Sequence, residues 1–182
     1  MSACVFKNKK EALSDIPQTF WELSAKDIHG EMVNFADYQG KAKAFIIVNV
    51  ASACGLTNNN YRQLQKFHEQ YHDQGLEIWG FPCNQFRAQE NKCEADIEHF
   101  VKTKFKVDFK MFSKIEVNGE DCHPLYKYLR YNSPLRTSDG AIKEVPWNFG
   151  KFVLGSDGKV LRYYEPTTKP NEFREYIEAL LK

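Results

Sequence analysis

Residues 43–57 read KAFIIVNVASACGLT, and this stretch decides the fold. The apolar, β-branched run at 44–50 gives way to small residues and Cys54, after which apolar residues recur at helical spacing. This order predicts a buried strand, a tight turn and the start of an amphipathic helix, with Cys54 at the turn. A helix N-terminus offers unpaired backbone N–H groups and the positive end of the helix dipole, and both favour a thiolate. Cys54 therefore has the position of a reactive cysteine, although a lone cysteine after a strand is more often a small buried apolar residue.

The rest of the chain alternates strands and helices around this unit. A short hairpin is expected near the N-terminus, with strands near 21–23 and 32–35 on either side of His29 and Gly30. The elements expected after Cys54 are a helix at 58–74 ending at Gly75, a strand at 76–82, a helix at 94–105, a strand at 112–117, a helix at 124–131, a loop at 132–146, strands at 149–154 and 160–164, and a helix at 170–181. The pattern predicts an α/β protein with a central mixed β-sheet flanked by α-helices, in a thioredoxin-like layout.

Length and composition set the broad class of the protein. A chain of 182 residues fits one domain with a core of its own, and a hydrophobic content of 42% is typical of globular proteins. We expect a flexible N-terminal arm at 1–18, where the sequence is polar and mixed, and a single thioredoxin-like domain at 19–182. The net charge of +1 excludes a strongly basic nucleic-acid binder, so no nucleic-acid partner is expected.

The five cysteines form no CxxC pair and no Cys/His cluster at zinc spacing, so no metal site is expected. The N-terminal segment lacks the apolar run of a signal peptide, and no apolar stretch approaches membrane-spanning length. Free thiols persist in reducing compartments, and we therefore expect a cytoplasmic protein.

Three blocks of sequence carry a family resemblance. They are NVASACGLT at 49–57, FPCNQF at 81–86 followed by Gln89, and WNFGKF at 147–152. In this order and spacing they resemble the signature blocks of the glutathione peroxidase family. The resemblance implies that Cys54 occupies the peroxidatic position, which holds selenocysteine or cysteine in that family, and that Gln89, Trp147 and Asn148 complete its catalytic tetrad. It fits a natural cysteine at position 54 and equally a cysteine standing in for selenocysteine.

The chemistry of these residue types agrees with the resemblance. An indole N–H and two side-chain amides are neutral donors, and donors that converge on a sulfur stabilise its charged form. The implied reaction is a thiol peroxidase cycle, in which the Cys54 thiolate attacks hydrogen peroxide or an organic or lipid hydroperoxide and becomes a sulfenic acid. Thiols then reduce the sulfenic acid. The resemblance implies no bound cofactor, with glutathione, or a thioredoxin-type protein, as the reducing co-substrate.

The source of the reducing thiol separates two interpretations. Some members of the family use glutathione, and others use an internal resolving cysteine in the helix after the Gln89 loop. The matching position here is Lys102, so the usual internal route is not expected, and Cys93 is the best candidate for an unusual resolver. An exposed incidental thiol is the favoured alternative for Cys93, since a disulfide requires close Cβ approach. A third interpretation is a peroxide sensor that relays oxidation to a partner protein. Cys83, at the end of an apolar strand, is expected to be structural.

Basic residues near the motifs are candidates for orienting an anionic substrate. They are Lys43, Arg87, Arg136 and Lys143. Arg87 stands where the family commonly has glycine, and 144–146 read EVP where a lysine often precedes the tryptophan directly. The 123–147 segment lacks the longer insertion of tetrameric members, so the chain resembles the monomeric phospholipid-hydroperoxide type. A monomer with an open site is expected to reach lipid hydroperoxides peripherally at membranes.

Overall fold

The computed structural model describes residues 10–11 and 13–182. In chain order the strands are β1 (Lys10–Glu11), β2 (Ser24–Lys26), β3 (Met32–Asn34), β4 (Ala44–Val50), β5 (Leu76–Pro82), β6 (Lys110–Met111), β7 (Ile142–Lys143), β8 (Lys151–Gly155) and β9 (Val160–Tyr164). The helices are α1 (Thr57–Tyr71), α2 (Glu94–Phe105), α3 (Pro124–Tyr131) and α4 (Arg174–Leu181). Single 3-10 turns lie at Phe20–Glu22, Phe35–Tyr38, His72–Gln74 and Pro170–Phe173.

The central sheet has five strands in the order β6-β5-β4-β8-β9. Strand β4 pairs parallel with β5 and antiparallel with β8, which makes the sheet mixed. All seven residues of β4 are buried, because successive side chains point into the cores on the two faces of the sheet. Phe45 and Ile47 belong to one core, and Ile46 and Val48 to the other. The predicted mixed sheet with flanking helices and an N-terminal hairpin is confirmed.

Helix α1 has the amphipathic face that the sequence predicts. Its residues Tyr61, Leu64 and Phe67 are fully buried against the sheet. The helix ends in a 3-10 turn, and Gly75 follows with a φ of 104°, a left-handed conformation that glycine adopts without strain. The predictions for 76–82, 94–105, 124–131 and 160–164 are also confirmed.

The first strand of the predicted hairpin is wrong at 21–23. A 3-10 turn occupies Phe20–Glu22, and the strand begins at Ser24. Two adjacent aromatic residues explain the turn: Phe20 packs on Trp79 in the core, while Trp21 donates from Nε1 to the carbonyl of Asp157. A strand would have pointed these two side chains to opposite faces.

The predicted strand at 112–117 is also wrong beyond its first residue. Phe112 forms an isolated bridge with Asp27 and donates from its N–H to the carbonyl of Gly80 at 2.9 Å, and the regular pairing stops at Met111. Farther on, the N–H groups of Val117 and Asn118 donate to the side-chain oxygen of Gln85, at 2.8 and 3.0 Å. A side-chain acceptor therefore replaces the strand ladder here.

The C-terminal half of the chain differs from the sequence-based prediction in three smaller ways. Strand β8 begins at Lys151 because Phe149 has a φ of 69°, outside the extended region. The expected final helix begins as the 3-10 turn Pro170–Phe173 before α4. The expected loop at 132–146 contains β7, which pairs antiparallel with β1.

The predicted arm at 1–18 is described only in part, since residues 1–9 and 12 lie outside the described residues. Strand β1 falls within it and is paired; for the rest, the arm stays a prediction, as does the single domain at 19–182. In the described part of the chain, no helix combines the length and apolarity needed to cross a membrane.

Candidate active site

Cys54 lies in the turn between β4 and α1, as the sequence predicts, and it is half-buried. The backbone N–H of Leu56 donates to its Sγ atom at 3.5 Å, so the start of the helix directs a donor at the sulfur. Thr57 holds the turn: its hydroxyl accepts from the N–H of Cys54 at 3.2 Å and donates to the carbonyl of Ala51 at 2.7 Å.

Gln89 lies in the irregular loop between β5 and α2, and this loop is bound to the Cys54 turn. The N–H of Ala53 donates to the carbonyl of Gln89 at 3.0 Å, which places Gln89 beside the residue that precedes Cys54. Arg87 and Ala88 have φ values of 54° and 51°, in the left-handed region. That conformation suits the glycine that the family resemblance places at position 87.

Trp147 and Asn148 precede β8, and β4 holds their backbone. The side chain of Asn49 donates from Nδ2 to the carbonyl of Trp147 at 2.9 Å, and the carbonyl of Asn49 accepts from the N–H of Phe149 at 2.6 Å. Trp147 is half-buried, with the guanidinium of Arg87 5.6 Å from the centroid of its ring.

The side chains of Gln89 and Asn148 meet, although 59 residues separate them. Asn148 is fully buried and donates from Nδ2 to Oε1 of Gln89 at 2.8 Å. Because Gln89 accepts through its carbonyl oxygen, its Nε2 group faces away from this bond as a donor. Among the described residues, that group donates to no protein acceptor. The arrangement therefore presents amide N–H donors on the loop that is bound beside Cys54.

Glu90 is a fully buried carboxyl group next to Gln89. Burial raises the pKa of Glu90, and hydrogen bonding by Ser52 partly offsets this effect. Ser52 donates from its hydroxyl to Oε2 at 3.1 Å, while Oε1 has no partner among the described residues. Burial, with the nearby Glu90 as a further cause, raises the pKa of Tyr61 well above its ordinary value.

Four basic residues were proposed to orient the substrate, and for one of them, Lys43, the prediction is wrong. Lys43 precedes β4, whereas Cys54 follows it, and a seven-residue strand spans about 20 Å. The Lys43 ammonium group donates to the carbonyl of Leu181, 2.6 Å away, at the end of α4. Lys43 therefore lies at the opposite end of the sheet from Cys54.

The other three basic residues differ in their surroundings. Arg87 is exposed beside Trp147. Arg136 lies 4.0 Å from the ring centroid of Tyr131, at the end of α3, and Lys143 belongs to β7. Within the described part of the chain, the contacts of Arg136 and Lys143 are with α3, β1 and the 132–146 segment rather than with the Cys54 turn. Their roles stay predictions.

The cysteines other than Cys54 fall into two groups. Cys83 is buried, as predicted, and burial raises its pKa to about 11; Cys122 is buried as well. Cys93 is exposed immediately before α2, and none of the four cysteines in the described residues forms a disulfide. Cys4 lies outside the described residues. Within 10–11 and 13–182, no group of three or more His, Cys, Asp or Glu side chains is arranged to hold a metal ion.

A groove of about 380 Å³ runs beside Trp147, lined by residues 85–87, 118 and 144–147. Several residues that hold the site were not singled out from the sequence. They are Asn49, Ser52, Thr57, Glu90 and Asn118. A polar residue inside the otherwise apolar run 44–50 was a signal for Asn49, because a buried amide requires a partner.

The fold and the site together define a class: a thioredoxin-like protein with a cysteine at the turn between a central strand and the following helix. Comparison with known proteins narrows this class. The model of the glutathione peroxidase family matches residues 20–130. Glutathione peroxidase 2 of Caenorhabditis elegans is 44% identical over 160 residues, which cover 88% of this chain and 94% of the relative.

Comparison with two further proteins points to the same family. A probable phospholipid hydroperoxide glutathione peroxidase of Mesembryanthemum crystallinum is 44% identical over 168 residues, covering 92% of this chain and 95% of the relative. The crystal structure of Trgpx in its apo form has a TM-score of 0.71 and 33% identity, and it covers 90% of this chain and 95% of its own. The chain belongs to the glutathione peroxidase family and is a peroxidase that acts on hydroperoxides.

Proposed function

We propose that Cys54 is the peroxidatic residue and that Gln89, Trp147 and Asn148 supply the hydrogen-bond donors for its thiolate. The observation that carries this proposal is the contact between the side chains of Gln89 and Asn148. Gln89 lies on the loop whose backbone is bound to the residue before Cys54. Donors fixed in place before the reaction stabilise developing negative charge without reorganisation at the moment of bond breaking. The N–H of Leu56 adds a backbone donor to the same sulfur.

The proposed reaction has an oxidative and a reductive half. The Cys54 thiolate attacks the terminal oxygen of the hydroperoxide; an S–O bond forms, the O–O bond breaks, and the leaving oxygen takes a proton to become water or an alcohol. Cys54 is thereby oxidised to a sulfenic acid. One glutathione thiol condenses with it and releases water, and a second attacks the mixed disulfide, which restores Cys54 and releases oxidised glutathione.

The proposed substrates include phospholipid hydroperoxides as well as small hydroperoxides. The relative from M. crystallinum, whose name carries that substrate, covers nearly the whole of this chain. The half-buried Cys54 and the groove beside Trp147 leave room for a bulky substrate. We also propose a cytoplasmic monomer that reaches membrane lipids only peripherally.

A second candidate function is a thioredoxin-dependent peroxidase with Cys93 as the resolving thiol. It is favoured by the exposure of Cys93 and by its position four residues after Gln89, on the loop bound beside Cys54. In this version the Cys93 thiol condenses with the Cys54 sulfenic acid, and a thioredoxin-type dithiol reduces the resulting disulfide.

Steady-state turnover of hydrogen peroxide and of a phosphatidylcholine hydroperoxide tests the proposal. Cys54→Ser and Cys93→Ser are assayed beside the parent, once with glutathione and once with thioredoxin and its reductase. We expect Cys54→Ser to be inactive, glutathione to be the better donor and Cys93→Ser to match the parent. Turnover with thioredoxin that is lost in Cys93→Ser would favour the second candidate. A Cys54→Ser protein as active as the parent would refute both.

A further inference from the structure

Asn49 is a polar residue in the middle of the protein core. It is the one polar residue of β4 and is 0% exposed. Removing an amide from water costs free energy unless its groups find hydrogen-bond partners. Asn49 finds one in the carbonyl of Trp147, 2.9 Å from its Nδ2 atom.

The bonds from Asn49 bracket Asn148. The side chain holds the peptide group on the N-terminal side of Asn148, through the carbonyl of Trp147, and the backbone carbonyl of Asn49 holds the N–H of Phe149 on the other side at 2.6 Å. Phe149 has a φ of 69°, a left-handed conformation that costs a non-glycine residue about 1–2 kcal/mol. Hydrogen bonds from outside the turn are therefore needed to keep it in place. The conformation of this turn also sets the directions in which the Trp147 and Asn148 side chains leave the backbone.

The position of Asn49 on β4 makes this attachment relevant to the sulfur. Cys54 follows the same strand, so Asn49 links residues 147–149 to the element that leads directly into the Cys54 turn. The side chain of Asn118 holds the same segment farther upstream, since it bonds both the N–H and the carbonyl of Val145, at 2.8 and 2.9 Å. Of these two attachments, the one made by Asn49 is nearer to the two proposed donors.

We propose that Asn49 is a positioning residue for the oxidation of Cys54, acting through the backbone of residues 147–149 to set Trp147 and Asn148 in place. The inference rests on the proposed roles of those two residues. Small misplacements of groups at a reacting centre cost about 10²-fold in rate. Because reduction of the sulfenic acid by glutathione begins from a different species, we expect the loss to fall mainly on the oxidation step.

The test uses Asn49→Asp, which keeps the volume and loses the Nδ2 donor, and Asn49→Ala, which removes the side chain. Gln65→Ala is the matched control: Gln65 is also a buried amide that holds a distant backbone group, accepting from the N–H of Asp108 at 2.9 Å, but it lies two turns along α1. Stopped-flow single-turnover experiments measure the rate constants of oxidation by hydroperoxide and of reduction by glutathione separately. Thermal unfolding is recorded for every variant.

We expect both Asn49 variants to oxidise about 10- to 100-fold more slowly than the parent, with the reductive rate constant within about 3-fold. Gln65→Ala should lose thermal stability and keep the parental oxidation rate. Parental oxidation by folded Asn49 variants would overturn the proposal, as would an equal loss in the control. Gly150→Ala keeps the test open if the Asn49 variants do not fold. Its added Cβ would lie 3.2 Å from Cγ1 of Val145 and 3.3 Å from both Oδ1 of Asn49 and the hydroxyl of Tyr163, so it crowds the same attachment and should slow oxidation as well. An active Cys54→Ser protein would instead refute the proposed function.

Discussion

The hydroxyl of Ser52 donates to Oε2 of Glu90 at 3.1 Å, and this bond joins the turn that carries Cys54 to the loop that carries Gln89. The bond from the N–H of Ala53 to the carbonyl of Gln89 lies directly beside it. A third bond, from the N–H of Glu90 to Oδ1 of Asn84 at 2.8 Å, closes the loop on itself. The proposed peroxidatic turn and its donor loop are therefore attached at two consecutive residues on each side.

Replacing the buried carboxyl in Glu90→Gln should stabilise the protein increasingly as the pH rises. The folded state raises the pKa of Glu90 above its ordinary 4.5, so above pH 4.5 folding holds a proton that the unfolded chain has released. The parent consequently loses stability as the pH rises through that window, and the glutamine variant does not. We expect the difference in Tm between variant and parent to grow as the pH rises above 4.5, by about 2–4 °C for each kcal/mol.

Thermal unfolding at a series of pH values measures this difference. Glu175→Gln, the same substitution at an exposed position in the first turn of α4, is the control for the change of residue type. A Glu90→Gln protein whose Tm advantage stays constant between pH 4.5 and pH 7 would contradict the prediction.

Asn148→Asp should slow the oxidation of Cys54 by about 10²- to 10³-fold, the range measured when one donor of an oxyanion site is removed. A carboxylate cannot donate to Oε1 of Gln89, and its charge would oppose a thiolate on the neighbouring turn. Stopped-flow oxidation with hydrogen peroxide measures the rate. Asn132→Asp is a suitable control, because Asn132 is exposed at the end of α3 and donates to the carbonyl of Tyr128. Equal rates in the two variants would count against a donor role for Asn148.

Arg87→Gly should be more stable than Arg87→Ala. Both variants remove the guanidinium beside Trp147, but only glycine adopts the φ of 54° at this position without steric cost. A left-handed conformation costs a non-glycine residue about 1–2 kcal/mol, and glycine offsets part of this by losing more entropy on folding. The free energies of unfolding of the two variants should therefore differ by about 1 kcal/mol. Urea unfolding of the two variants gives the value, and an alanine variant as stable as the glycine variant would refute the backbone interpretation.

The stability of the parent relative to Lys151→Met should rise with pH above neutrality. Lys151 is fully buried, and its ammonium donates to the carbonyls of Pro166 and Thr168 at 3.1 and 2.6 Å. Burial lowers its pKa from 10.5 to about 7, an effect that Glu172 partly offsets. Between these two values the unfolded chain binds a proton that the folded protein does not, so the stability of the parent increases across that window.

The difference in Tm between the parent and Lys151→Met, recorded from pH 7 to pH 9, tests this expectation. Lys159→Met, which removes an exposed lysine that pairs with Asp157, is the control for the change of residue type. A difference that falls or stays flat as the pH rises would show that Lys151 keeps its proton in the folded state.

Local patterns in the sequence predicted most of the elements correctly. The run 44–50, the helical spacing of Tyr61, Leu64 and Phe67, and the turn at Gly75 each express a rule that acts over a few residues. The predictions failed where distant contacts outweighed those rules. The side chain of Gln85 accepts from the N–H of Val117, where a strand was expected, and a 3-10 turn with Phe20 in the core replaces the strand expected at 21–23.

The sequence by itself determined most of the elements and the order of the three blocks, because periodicity and motif spacing are properties of the chain alone. The family resemblance of those blocks implied the four proposed catalytic residues. Only the tertiary structure decided how these residues meet. It placed Lys43 at the far end of β4, brought Gln89 to Asn148 across 59 residues, and gave the amide of Asn49 a partner 98 residues away. The physical reason is that a buried amide N–H is stabilised by an acceptor, while the acceptor it finds depends on which strands the sheet sets side by side.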